Sequence, residues 1–125
     1  MAISNEAKTI LVVDDSRTAR MMIRAITLQL HPNWTILEAA DGVEALKTVE
    51  RDTPNCITMD VNMPGMNGIE ISEIILKKYP GTHIVLFSAN MQESTRQLAQ
   101  AMGISFVAKP VTEQSVMQAL SRLDS

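Results

Sequence analysis

Five short apolar runs, spaced along the whole chain, constrain its fold more than any other feature. They are residues 9–13 (TILVV), 34–39 (WTILEA), 55–59 (NCITM), 83–87 (HIVLF) and 104–108 (ISFVA). Each is too short for a helix and largely lacks polar alternation, which predicts strands buried on both faces. Between them lie segments with apolar residues at helical spacing. The first covers residues 17–30 behind a Ser16 cap, with Ala19, Met22, Ile23, Ile26 and Leu30 inward, and His31-Pro32-Asn33 stops it. The second begins at Asp41, paired with Glu44 as a capping box, and reaches residue 51 with Val43, Leu46 and Val49 inward. The third covers residues 69–78, with Ile71, Ile74 and Ile75 inward and Pro80-Gly81 at its end. The fourth follows a cap-like pair, Asn90 and Glu93, and closes at Gly103; the fifth is capped by Thr112 and runs to residue 123. Five strands alternating with five helices predict an α/β fold, a doubly wound parallel sheet with helices on both faces and right-handed crossovers.

A chain of 125 residues suffices for one core and not for two, so residues 1–125 are expected to form a single domain. The chain stops after the fifth helix, which predicts no fused effector domain. The net charge of −3, without a lysine or arginine block, argues against binding nucleic acid by phosphate neutralisation. No apolar run approaches ~18 residues, so no membrane insertion is expected. The opening MAISNEAKTI lacks the basic and apolar regions of a secretory signal. Cys56 is the sole cysteine and cannot form an intramolecular disulfide; a reducing cytoplasm is the expected setting, with Cys56 as inert packing.

The polar residues at the strand ends carry the chemistry. Asp14 and Asp15, Asp60, Ser88 and Lys109 directly follow strands one, three, four and five. Open α/β sheets bind ligands outside the carboxyl ends of their strands. If these strands are neighbours, the five side chains meet in one crevice. Three carboxylates ~5 Å apart repel by roughly 3 kcal/mol per pair at an effective dielectric of ~20. Lys109 offsets part of that and a divalent cation more. Carboxylate and carbonyl oxygens suit Mg²⁺ (or Mn²⁺), and no histidine or cysteine set suits zinc. A metal, a lysine, a hydroxyl and a carboxylate fit phosphoryl transfer, with Asp60 as nucleophile and Ser88 as a donor to a phosphoryl oxygen.

The segments LVVDDS (11–16), EAADGVEAL (38–46), MDVNMPGMNGIE (59–70), LFSAN (86–90) and FVAKP (106–110) resemble, in this order, the response-regulator receiver domains, most closely the stand-alone chemotaxis-regulator-like kind. The resemblance spans nearly the whole chain. It implies the flavodoxin-like strand order 2-1-3-4-5 and a two-component signalling or chemotaxis role. It implies Asp60 as phosphoacceptor, Asp15 and Asp60 as direct metal ligands with the Asn62 backbone carbonyl, and Asp14 as a ligand through water. Ser88 and Lys109 match the phosphoryl-sensing hydroxyl and lysine, Phe106 the switch aromatic, and Pro110 a cis-proline. Asn62 and Asn90 match two hydrolysis-tuning positions; amides orient water but cannot act as bases, which implies moderate self-dephosphorylation. The implied partners are a histidine kinase or phosphotransfer domain, a downstream target on the 91–123 face and a phosphatase, with the protein a monomer or weak dimer. It would turn over no external substrate.

Two positions depart from the best-known pattern. Phe106 has no hydroxyl where tyrosine is frequent, and Val61 replaces a tryptophan. Met21, Met63 and Met66 are expected to flank the crevice, whereas Arg17, Arg20 and Arg24 read as a solvated face. Other functions fit less well. Asn62 stands where a dehalogenase-like phosphatase needs an acid, the acidic first loop does not suit a flavodoxin, and no GxGxxG follows a strand. A phosphorelay intermediate, a phosphate sink and a pseudo-receiver regulated without phosphate remain as alternatives.

Overall fold

Apolar strand segments and amphipathic helices alternate without exception in the computed structural model, which describes residues 7–89 and 92–123. The order is β1 (Thr9–Val13), α1 (Arg17–Leu30), β2 (Thr35–Ala39), α2 (Gly42–Asp52), β3 (Cys56–Asp60), α3 (Gly68–Lys78), β4 (His83–Ser88), α4 (Glu93–Ala101), β5 (Ser105–Ala108) and α5 (Glu113–Leu123). The five strands form one parallel sheet in the order β2-β1-β3-β4-β5, as the resemblance implies. Among the described residues no helix is long and apolar enough to cross a membrane.

Strand alternation divides the core in two. Ile10, Val12, Val85 and Phe87 face Ile23 and Ile26 of α1 and Val116 and Leu120 of α5. Leu11, Val13, Ile57 and Met59 face the opposite layer, built from α2, α3 and α4 around Ala45, Ile71, Ile75 and Ala99. The helix faces are narrower and rotated from the expected ones. Met22, Leu30, Val43 and Ile74, expected inward, are exposed. Thr27 and Thr48 take buried positions instead, because each hydroxyl donates to the carbonyl four residues back, Ile23 at 2.7 Å and Glu44 at 2.9 Å. A satisfied threonine packs like a small apolar residue, and a count of apolar letters misses it.

Helix caps set where each strand end opens. Ser16 accepts from the Ala19 N–H at 3.2 Å and Asp41 from the Glu44 N–H at 2.8 Å. A reciprocal capping box was expected at Asp41; it stands at Asn67 and Glu70 instead. Thr112 and Ser115 exchange side chain-to-backbone bonds at 2.8 and 3.1 Å at the start of α5. In α4 the N-cap residue is Gln92, with no side-chain cap bond, and Asn90 lies outside the described residues. Gly103 ends α4 at φ +74°, a left-handed conformation that glycine adopts without strain.

Trp34 is buried at the amino-terminal edge of the sheet, next to the Thr35–Thr9 pair, and stacks on His31 with ring centroids 4.1 Å apart. The strand ends that carry the acidic residues lie at the opposite edge. Intrinsic tryptophan fluorescence will therefore barely change on adding Mg²⁺ or on phosphorylation. A strong Mg²⁺-dependent quench in a titration at constant ionic strength would contradict this placement.

Candidate functional site at the carboxyl edge of the sheet

β1 and β3 are neighbours, with Val13 opposite Met59, so the residues that follow them lie side by side. Asp60 is the last residue of β3 and Ser88 the last of β4, one position deeper in the sheet than expected, because the ladder continues through Asp60–Phe87 and Ser88–Ala108. Asp14 is fixed through both its main chain and its carboxylate. Its N–H donates to Ala39 O at 3.1 Å, and its Oδ1 accepts from the Ser16 N–H at 2.9 Å. Asp14 and Asp60 are each only 1% exposed, whereas Asp15 is exposed. One carboxylate oxygen from each of the three lies within 4.8 Å of the others.

Lys109 closes the cluster from the end of β5. Its N–H donates to Ser88 O at 2.9 Å, and its Nζ stands 3.1 Å from Asp60 Oδ1 and 3.5 Å from Asp14 Oδ2. The Asn62 N–H also donates to Asp60 Oδ1, at 3.2 Å. The Lys109–Pro110 bond is cis, as the resemblance implies.

The electrostatics follow from burial and charge count. Burial, and then the Asp14 carboxylate, push the Asp60 carboxyl up to about 6, against the opposing pull of Lys109 and the Asn62 N–H. Burial acts to depress the Lys109 ammonium, but Asp14 and Asp60 outweigh it and hold the group above its ordinary range. One lysine thus faces three carboxylates. The second oxygen of Asp60, Oδ2, is buried without a hydrogen-bond partner. A buried anionic oxygen left unpaired is costly, and a cation is the natural complement. The donors are hard oxygens, so the residues present fit Mg²⁺ or Mn²⁺.

The start of α3 presses directly on this corner. The Gly68 N–H donates to Val61 O at 3.0 Å, and a Cβ at Gly68 would lie 2.3 Å from the Asp60 carbonyl oxygen. The apolar spacing starts the third helix at residue 69, which leaves Gly68 in the loop before it.

The remaining expected residues fall outside the carboxylate cluster. Ser88 is buried and shares the strand face of Leu86 and Ile84, opposite to that of Asp60. Phe106 is half-buried on that same face, with the Arg96 guanidinium 4.8 Å from its ring centroid. Ser88, Arg96, Phe106 and Arg122 line a common cleft of about 450 Å³. Asn62 is exposed beside a second cleft, of about 460 Å³, between the beginnings of α3 and α4. Cys56 is buried, forms no disulfide, and has its Sγ 3.9 Å from Thr9 O.

Two expectations need correction. Met63 is buried in the core, so only Met21 and Met66 of the three methionines are exposed. Arg20 and Arg24 are not simply solvated; both bond Glu38 of β2, Arg20 at 3.1 Å and Arg24 at 3.2 Å. Arg17 is exposed. The signal for this network was present in the sequence, in the one carboxylate that interrupts the second apolar run.

Comparison with known proteins agrees with the geometry. The sequence profile of the response regulator receiver domain matches residues 10–121. The chemotaxis protein CheY of Halobacterium salinarum is 34% identical over 117 residues, which cover 92% of this chain and 95% of that protein. A protein-glutamate methylesterase/protein-glutamine glutaminase of Pyrococcus abyssi is 34% identical over 120 residues. These cover 93% of this chain but 32% of the relative, so the chain spans about a third of that enzyme. The structure of Vibrio cholerae chemotaxis protein CheY4 superposes with a TM-score of 0.84 at 27% identity, covering 94% of this chain and 99% of that one. By sequence and by fold, this chain belongs to the response regulator receiver domain family and is of the CheY-like type.

Proposed function

We propose that the chain is a phosphoryl-accepting signalling protein, with Asp60 as the acceptor and a histidine kinase or phosphotransfer domain as the donor. The observation that carries this reading is the buried Asp60 carboxylate, held by Lys109 through one oxygen and unpartnered at the other. A carboxylate oxygen of Asp60 attacks the phosphorus of a phosphohistidine. The new O–P bond forms as the P–N bond breaks, and the imidazole leaves with the electron pair and takes a proton from water. Lys109 steadies the negative charge of the transferred group, and the Ser88 hydroxyl donates a hydrogen bond to a phosphoryl oxygen. Asp15, Asp60 and the backbone carbonyl of Asn62 would hold the Mg²⁺ or Mn²⁺ ion directly, and Asp14 through water. When bound, that ion neutralises charge on the phosphoryl oxygens.

The acyl phosphate then shifts the population between two arrangements of Ser88, Phe106 and the 91–123 face, where a downstream target docks. Asn62 and Asn90 tune the return by hydrolysis, with or without a phosphatase. The setting is the cytoplasm. The shared cleft of Ser88 and Phe106 supports this route, because a move of one opens or fills space beside the other.

The test is the intact mass of wild type and Asp60→Asn after incubation with acetyl phosphate, with and without Mg²⁺. The expected result is gain of a single phosphoryl group that needs both Asp60 and Mg²⁺. No gain in wild type, together with no binding of beryllofluoride, would assign the chain to the pseudo-receivers. Binding of beryllofluoride without a mass gain would indicate rapid hydrolysis.

A further inference from the structure

Arg20 does something that the phosphoryl-transfer scheme leaves unassigned. Its side chain leaves α1 one turn after the β1–α1 connection and folds back over it. Nη1 donates to the main-chain carbonyl of Asp14 at 2.7 Å, while Nε donates to Glu38 Oε1 at 3.1 Å. Glu38 is on β2, paired with Val12, and so stands on the face that α1 covers. Its other oxygen is taken by Arg24 at 3.2 Å, and Arg24 also donates to Ile36 O at 3.3 Å. The Arg20 side chain is 15% exposed and that of Glu38 31%, so the contact is largely screened from water.

The placement matters because the β1–α1 connection is only three residues, Asp14, Asp15 and Ser16. Ala39 O holds its first N–H and the Asp14 carboxylate holds the Ser16 N–H. The Asp14 carbonyl, at the point where the strand direction turns into the helix, is the main-chain group that Arg20 takes. A planar guanidinium can hold that carbonyl and a carboxylate at once, with its orientation fixed. An ammonium on a flexible stem cannot reproduce both contacts.

We propose that Arg20, locked in place by Glu38, is a positioning residue for the acidic pocket. It fixes the peptide between Asp14 and Asp15 and thereby sets where both carboxylates stand for a divalent cation. The proposal rests on the reading of Asp14 and Asp15 as metal ligands. Two effects of Arg20 on the cation have opposite signs. Its positive charge repels a cation, while its geometry holds the ligands ready. Arg20→Lys keeps the charge and loses the fork, so it isolates the second effect.

The experiment is an NMR amide-shift titration of the full chain with MgCl₂, well below the unfolding temperature, on wild type, Arg20→Lys, Glu38→Gln and the remote surface control Arg51→Ala. Residues that orient metal ligands typically contribute a factor of about ten or more in affinity. We expect the Mg²⁺ dissociation constant to rise about tenfold in Arg20→Lys and several-fold in Glu38→Gln, and to stay at the wild-type value in Arg51→Ala. Amide exchange at Asp15 and Ser16 should quicken in the first two variants. A merely structural role would lower the melting temperature of the metal-free protein and leave the dissociation constant unchanged, and that result overturns the proposal. Tighter Mg²⁺ binding in Arg20→Lys also overturns it. Failure of wild type itself to bind Mg²⁺ removes the proposed function and this inference together, whereas unaltered binding in the variants removes this inference alone.

Discussion

Asp60→Asn will be more stable than wild type at pH 7 in the absence of divalent metal. The reason is the raised carboxyl of Asp60, which goes from 3.8 to about 6 on folding through burial and the neighbouring Asp14. A raised carboxyl binds its proton more tightly in the native state than in the unfolded one. Its charged form therefore costs stability, and the cost grows as pH rises from 3.8 to about 6. About two pH units correspond to at most about 3 kcal/mol. The isosteric amide carries no charge to desolvate and still accepts from Lys109 and the Asn62 N–H. The advantage of Asp60→Asn should be near its full size at pH 7 and vanish below pH ~3.5 as wild type becomes protonated. Saturating Mg²⁺ should narrow the gap from the wild-type side, since a ligand at about 100 times its dissociation constant adds about 2.7 kcal/mol to the protein that binds it. Urea unfolding in a chelator, at pH values from 3 to 8, measures all of this. An Asn variant no more stable than wild type at pH 7 would sink the account of Asp60 as a destabilising charge.

The sign of this prediction explains what was legible in the sequence. Acidic residues that follow buried apolar strands are poor choices for stability, so they stand out against a background that otherwise serves folding. Asp14, Asp15, Asp60 and Lys109 are separated by up to 95 positions, yet each is the residue at or just past the end of an apolar run. A parallel sheet places all such ends on one edge, which brings together those that stand on neighbouring strands. The neighbourhood of β1 and β3, on which the cluster depends, came from the resemblance and not from periodicity. What stayed hidden was of another kind. Apolar spacing put Met22, Val43 and Ile74 on buried faces; in α1 and α2 it does not register the hydroxyls of Thr27 and Thr48, which bond within their own helix. Arg20 and Arg24 looked like a solvated face, because helical periodicity says nothing about a carboxylate on the adjacent strand. Gly68 looked like one more loop glycine, because the closeness of α3 to β3 is a tertiary fact.

That closeness gives the largest expected loss of stability. Gly68→Ala should destabilise the protein by about 3 kcal/mol, the upper range for overpacking a tight core. The added Cβ would lie 2.3 Å from the Asp60 carbonyl oxygen, 3.0 Å from its carbonyl carbon and 2.9 Å from Met59 Cγ. Two of these three atoms are main chain, at the end of a strand whose five residues are all buried, so no rotamer change relieves the contact. Either α3 withdraws from the sheet or the end of β3 moves. The first weakens the Gly68 N–H bond to Val61 O, and the second shifts Asp60 relative to Lys109. Gly81→Ala is the control, since nothing lies within 4 Å of a Cβ there and its backbone is not left-handed. It should be neutral or slightly stabilising, through the loss of unfolded-state freedom alone. A Gly68→Ala variant within about 0.5 kcal/mol of wild type in urea unfolding would show that α3 has room to spare over Asp60. The two variants at this corner thus separate two causes that a single loss of phosphorylation would confound. Asp60→Asn removes the proposed acceptor and is expected to raise stability, whereas Gly68→Ala retains it and is expected to lower stability. A third outcome, in which Gly68→Ala folds less stably yet accepts phosphate at the wild-type rate well below its unfolding temperature, would assign the movement to α3 and leave β3 and its carboxylate in place.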